Sequence, residues 1–274
     1  MRVFISVDME GITGVTTGSH TSSTESDYQR FRRLMTQDVN AAIEGAIEAG
    51  ATGVVVNDSH GPMTNVLIEE LHVEAKLISG NKKHLGMMEG IGHEFGVAFL
   101  IGYHDREGSP DGVLNHSFMG GTVLEIRCNG EPVGEAGVNA GIAGHFDVPM
   151  GLVTGDNIVC ADAARRFPGV ETAVVKEAIS RASACSLTPI KSHILIRERA
   201  RAAVQKAGAL APYRVATPVT FEVDFKSTAN AYACDVFPQL KRIGPRTISF
   251  SADDYLTAFK ILWGTLQLGA AGAR

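Results

Sequence analysis

Asp8 and Glu10 stand two residues apart, just after the apolar run Val3-Phe4-Ile5-Ser6-Val7. In an extended chain that spacing points both carboxylates to one side. Side by side they repel, and a proton, a cation or open water must relieve the repulsion. Gly11 and Gly14 follow, so the chain can turn sharply there. The same switch from apolar strand to reactive residue recurs along the chain. Residues 52–56 run into Asn57-Asp58-Ser59-His60, residues 97–101 into Gly102-Tyr103-His104, and residues 150–154 into Gly155-Asp156. Carboxylate and imidazole together form the ligand set of a zinc-like site. Asp8, Glu10, His60 and His104 are therefore read as a hydrolytic metal centre. Asp156 reads better as the cap of the helix that follows it. His116 lies in a glycine-rich passage with Gly108, Gly112, Gly120 and Gly121, which predicts a loop. There it could be a general acid, a general base, a nucleophile or an ordinary surface residue. The other histidines (His20, His72, His84, His93, His145 and His193) are read as structural, with His20 standing nearest the Asp8 turn.

A parallel sheet would gather these strand ends at one edge, and open α/β sheets bind their ligands along that edge. The pattern supplies such a sheet. Phe31, Leu34, Met35, Val39, Ala42, Ile43, Ala46 and Ile47 form one apolar stripe in a helix over 25–49, stopped at Gly50. Short apolar strands at 52–56, 97–101 and 150–156, with helices between, argue for βαβ units. Asn129-Gly130 between residues 122–128 and 131–133 predicts a hairpin. A helix from 134 or 135 to 146 would put Glu135 in its first turn, where its charge favours the helix terminus. A helix at 157–166 and a strand at 172–176 follow. Beyond Pro189, helices over 192–208, 228–236 and 252–268 alternate with strands at 217–225 and 246–250. The fold class is α/β: a mostly parallel sheet flanked by helices, with a smaller α+β second domain. The expected division is a metal-binding catalytic domain over 1–188 and a smaller domain over 189–274, involved in oligomerisation.

Composition narrows the class. The 274 residues are 45% hydrophobic and 20% charged, ordinary for a soluble protein, and the 30 glycines suit tight strand-to-helix turns. A net charge of −5 without a Lys/Arg cluster argues against nucleic acid as a partner. No apolar run is long enough for a membrane span or a signal segment. Cys128, Cys160, Cys185 and Cys234 lie far apart with no C-x-x-C, so they read as reduced thiols of a cytoplasmic protein.

Residues 6–14 (SVDMEGITG), Val56-Asn57-Asp58-Ser59-His60, Gly102-Tyr103-His104, His116-Ser117 and Pro132-Val133-Gly134-Glu135 together resemble the M55 D-aminopeptidases. Ile78-Ser79-Gly80 and Val175-Lys176 extend the resemblance, which weakens after about residue 190. It departs at Asn115, where a serine is expected before the histidine. The resemblance implies an aminopeptidase with two zinc ions per subunit, replaceable by cobalt or manganese, that removes N-terminal D-amino acids from short peptides. It implies metal ligation by Asp8, Glu10, His60, His104 and Glu135, and a catalytic role for His116. Five ligands shared by two metals need a bridge, and Asp8 is the expected one. Such a pair would polarise the scissile carbonyl and activate a water. The resemblance also implies a homo-oligomer, a decamer of two stacked pentamers enclosing the active sites. Phe221, Phe225, Tyr232, Phe237, Tyr255, Phe259 and Trp263 are more aromatic surface than a unit of that size easily buries alone. Two other readings stay open on the residues alone. One is a metal-dependent phosphoester hydrolase, with Arg106 as the nearby cation. The other is a non-catalytic metal-binding assembly protein.

Overall fold

In the computed structural model, which describes residues 1–272, both halves of the larger sheet grow outward from β1 (Arg2–Val7). Its residues alternate between two packed layers: Val3, Ile5 and Val7 face one, Phe4 the other. A short α1 (Gly18–Thr21) precedes α2 (Tyr28–Glu48), which leads to β2 (Gly53–Asp58) and β3 (Ala75–Ile78) on one side of β1. The chain then crosses to the other side as β4 (Phe95–Tyr103). β5 (Val123–Cys128) and β6 (Glu131–Pro132) form a hairpin outside this sheet; Asn129 (φ 49°) and Gly130 (φ 84°) supply its left-handed turn. After α3 (Glu135–His145), β7 (Met150–Asp156), α4 (Asn157–Arg166), β8 (Glu171–Ser180) and β9 (Ser183–Ser186) complete the sheet. Its order is β3-β2-β1-β4-β7-β8-β9, parallel throughout except for the β8–β9 hairpin.

The chain continues through α5 (Pro189–Lys206), β10 (Val219–Phe225), α6 (Thr228–Cys234), β11 (Lys241–Arg242), β12 (Thr247–Ala252) and α7 (Tyr255–Ala271). A second, antiparallel sheet has the order β11-β12-β10-β5-β6. The expected division at residue 188 does not coincide with the division into sheets. β5 and β6 come from before it and pair with β10, while α5, from after it, packs on α2 over the first sheet. The physical reason is the β5–β6 hairpin: β12 pairs with one edge of β10, and β5 pairs with the other. β9 is short and polar and carries no apolar alternation, so its pairing with β8 extends the predicted strand at 172–176 in a way the pattern does not announce.

Of the aromatics expected at an interface, Phe221, Phe225, Tyr255 and Phe259 are buried within the chain itself. Tyr232 and Phe237 remain exposed, beside Val236 and Ile243. The four cysteines are free, and no helix among the described residues is long and apolar enough to cross a membrane.

Candidate metal centre

β1 and β4 are neighbours, yet their outgoing connections run to opposite sides of the sheet. This is the topological switch point, where a crevice opens beyond the carboxyl ends of the strands. Asp8 and Glu10 follow β1, His60 follows β2 and His104 follows β4, so all four enter that crevice. Two glycines let the backbones close up. Gly11 N–H donates to Gly102 O at 2.7 Å, and a Cβ on Gly11 would sit 2.0 Å from Tyr103 O. A Cβ on Gly102 (φ 70°) would meet Asp8 O at 2.4 Å.

Asp8 stands in the middle. Its Oδ1 lies 3.3 Å from His60 Nδ1 and its Oδ2 lies 3.3 Å from His104 Nε2. Glu10 Oε2 reaches His60 Nδ1 at 3.0 Å. Glu135, the first residue of α3, places Oε1 3.5 Å from His104 Nε2 and 3.9 Å from His116 Nε2, and accepts Phe118 N–H at 2.6 Å. The His104 and His116 rings stack with centroids 4.1 Å apart. The donor atoms thus fall into two groups, Asp8/Glu10/His60 and His104/His116/Glu135, each with its atoms within 4.8 Å of one another.

Each imidazole is oriented by a main-chain carbonyl. His104 Nδ1 pairs with Asp105 O at 2.8 Å, His60 Nε2 with Thr21 O at 3.0 Å and His116 Nδ1 with Leu114 O at 2.8 Å. A carbonyl only accepts, so the outer nitrogen carries a proton, and the inner nitrogen is the one that a metal would take. For a metal ligand this is the arrangement that fixes ring and tautomer together.

Burial pushes Asp8 up, but the hydrogen bonds and charges of His104 and His60 prevail and hold it well below the usual carboxylate range. Glu10 is lowered too: burial opposes this and the charge of His60 drives it. Burial disfavours charge on His60, yet Glu10 and Asp8 raise it well above its ordinary value. The Glu135 and Asp8 carboxylates do the same for His104 against its burial. All of these groups gain from an opposite charge. The carboxylates of Asp8, Glu10 and Glu135 are buried, and among the described residues no Lys or Arg pairs with any of them. His104 Nε2 is buried without a hydrogen-bond partner although it faces two carboxylates. Buried anions and an orphaned nitrogen converging on one point fit divalent cations. The donors are nitrogen and oxygen only, the set that zinc accepts.

Other residues play parts that the pattern alone does not reveal. Lys176, 1% exposed on β8, donates to the carbonyls of Glu10, Ile12 and Val15 at 2.6, 2.9 and 2.6 Å. It is an internal brace for the loop that carries Asp8 and Glu10. Burial pulls its ammonium down to about 7 despite Asp156, Asp38 and Glu10. Asp38, on α2, accepts Thr13 N–H at 2.9 Å and fixes the same loop from the other side. Asp38, among Thr36, Gln37 and Asn40, has no local signal, and Lys176 is marked only by the resemblance at Val175-Lys176. Asp156 caps α4 as expected, accepting Ile158 N–H and Val159 N–H, and its other oxygen holds Val113 N–H at 2.8 Å in the His116 loop. Asn115 turns away from the centre to Ser109 O. Arg106 bonds Glu107 O and approaches Glu125, outside the cavity at the centre. His20 stacks on Phe31 and lies apart from the cluster.

The family model described as Peptidase M55, D-aminopeptidase, matches residues 1–263. A D-aminopeptidase of Bacillus subtilis (strain 168) is 37% identical over 263 residues, covering 96% of this chain and 95% of the relative. Among solved structures, the Zn-dependent D-aminopeptidase DppA from Bacillus subtilis, described as a self-compartmentalizing protease, superposes with a TM-score of 0.95 at 36% identity, over 98% of both chains.

Proposed function

The chain belongs to the M55 D-aminopeptidase family, and on that premise we propose that it is a zinc-dependent aminopeptidase releasing N-terminal D-amino acids from short peptides. The observation that carries the assignment is the placement of Asp8, whose two oxygens face different histidines. This placement supports Asp8 as a residue that would help to hold both ions. Glu10 and His60 would complete the holding of one, His104 and Glu135 of the other. Zinc is the proposed metal, with cobalt or manganese as substitutes; when bound, it would supply Lewis acidity at the scissile carbonyl.

The remaining steps fall to the chain. His116 is partly open to the cavity, its Nδ1–H committed to Leu114 O and its Nε2 free to take a proton. It would collect the proton of the attacking water and return it to the leaving amine. The α3 terminus and Phe118 N–H hold Glu135 in place beside it. Met87, Phe118 and Trp263 line the cavity at this point and limit water around the reacting amide.

The self-compartmentalizing character of the Bacillus subtilis structure supports a homo-oligomer here, and a decamer of two stacked pentamers is the form proposed. Exposed Tyr232 and Phe237 are the residues proposed for its contacts. The cytoplasm is the proposed compartment, in keeping with four unpaired cysteines. A panel of D- and L-aminoacyl di- and tripeptides, assayed on zinc-, cobalt- and manganese-loaded protein, tests the reading. Cleavage of the D-aminoacyl series is expected. Preference for the L series, or no cleavage under any metal, would overturn it.

A further inference from the structure

The cavity of about 640 Å³ beside Asp8 and Glu135 has two unlike walls. Met87, Phe118 and Trp263 make one apolar. Trp263 is tightly set: it stacks on Phe259, meets Phe118 edge-on at 6.0 Å, and lies so near Gly86 that a Cβ there would be 3.3 Å from its ring. A second wall is formed by the run Lys82-Lys83-His84. Apart from Asp8 and Glu135, no carboxylate lines the cavity among the described residues.

Neither lysine forms an ion pair among the described residues, although the Asp58 and Glu89 carboxylates lie near enough to act on Lys83. Lys83 is buried, and its ammonium donates to Asn57 Oδ1 at 2.8 Å, Asp58 O at 2.7 Å and Ile78 O at 3.4 Å, all neutral oxygens. Lys82 is exposed and its side chain has no hydrogen bond or ion pair among the described residues. Its backbone has φ 67°, in the left-handed region that residues other than glycine rarely adopt. Consecutive side chains of an extended strand point to opposite sides. The left-handed turn at Lys82 lets both lysines border one cavity. A left-handed backbone that brings an unpartnered lysine and a buried one to the edge of one cavity offers positive charge to an anion.

We propose that this wall receives the free α-carboxylate at the C-terminus of the substrate, so that the enzyme selects short peptides by their far end. The proposal rests on the aminopeptidase reading above and deepens it. Lys82 forms the ion pair, Lys83 adds a fixed positive field behind it, and Trp263 with Phe118 takes the side chain at that end. Size agrees: a di- or tripeptide extends at most ~7–11 Å, and sites for such ligands are typically ~300–1,000 Å³. A longer peptide would carry its carboxylate past the lysines, and an amidated one would bring no charge to them.

Calorimetric titration with D-alanyl-glycine and D-alanyl-glycinamide separates the possibilities. The zinc-loaded His116→Ala protein is used so that turnover does not consume the ligand. The free acid is expected to bind roughly tenfold more tightly than the amide, which corresponds to about one charge-assisted contact. Lys82→Gly in the same background should abolish that preference, and Lys82→Arg should keep it. Glycine adopts φ 67° without strain, so the Gly variant is expected to melt no lower than its parent. Equal binding of acid and amide, binding of neither, or a preference that survives Lys82→Gly would overturn the proposal. An acid preference lost in Lys82→Gly, together with no cleavage of any D-aminoacyl peptide by the protein retaining His116, would sustain the carboxylate receptor and remove the aminopeptidase reading. Cleavage without acid preference would do the reverse.

Discussion

The two donor groups of the centre are built by opposite means. Asp8, Glu10 and His60 sit on adjacent parallel strands within a few residues of the sheet. Their loop is braced from inside by Lys176 and Asp38. Of the other group, only His104 follows a strand directly. His116 hangs in the long connection between β4 and β5, and Glu135 opens α3. That connection has Asp111, Leu114 and Phe118 all at positive φ, and it is tied down by distant partners: Leu114 N–H to Arg181 O and Val113 N–H to Asp156. One group is taken from the sheet alone; the other takes His104 from the sheet, Glu135 from a helix and His116 from a loop that must be kept in an unfavourable shape. A sheet edge positions side chains rigidly, whereas a loop can present a reactive group to substrate.

Asp8→Ala bears on both groups at once, because its oxygens face both. Zinc per chain should fall, and kcat/KM should drop by ~10³-fold or more. Retained metal with near-normal activity would break the idea of a shared carboxylate. His104→Ala and His116→Ala test the second group from within, one at its strand-held member and one at its loop-held member. The first should lower zinc content and rate together. The second should lower kcat by ~10²–10⁴-fold, the usual worth of a general acid or base, with zinc content unchanged. Equal zinc loss in the two variants, measured by metal analysis of dialysed protein, would make His116 a ligand.

Lys176→Met probes the brace of the sheet-held group. It leaves three buried carbonyls without donors, each worth about 1–3 kcal/mol. A thermal melt should show the loss, at roughly 2–4 °C per kcal/mol for a chain of this size. An unchanged melting temperature would mean that the loop after β1 is not held from Lys176. The smallest effect is expected at Asp111→Gly. Its side chain is exposed and its φ is 62°, so glycine should change stability by about 1 kcal/mol or less, toward stabilisation, with kcat/KM unaltered. A large loss of rate there would show that the strain in the loop itself serves the reaction.

This division also explains what the sequence could reveal. Asp8, Glu10, His60 and His104 were legible because a buried strand is a short apolar run, and its end is marked where polarity flips. Helix α4, with Asp156 as its cap, was legible for the same local reason. Glu135 was not, since an acidic residue in the first turn of a helix is ordinary and only its packing against Phe118 and His104 brings it inward. Lys176 closes the expected strand at 172–176 and enters the resemblance, but nothing local says that its ammonium is enclosed. Nothing in the run Lys82-Lys83-His84 itself says that the fold lays it along the cavity. The joining of β5 to β10 in one sheet was not legible, because strand pairing across nearly a hundred residues leaves no trace in periodicity.

One consequence follows from the carbonyls that orient His60, His104 and His116. Many metal-binding imidazoles are steered by a neighbouring side chain, and a point mutation can cut that tether. Here the tethers belong to the backbone of Thr21, Asp105 and Leu114, and every amino acid carries the same carbonyl. Scanning mutagenesis around these rings would pass over the tethers without registering them. Their influence becomes visible only to methods that watch the ring protons directly, such as nitrogen-15 resonance of labelled histidine, or that alter the path of the main chain. A lineage of this enzyme could therefore exchange nearly every neighbour of its histidines and still keep each ring turned the same way.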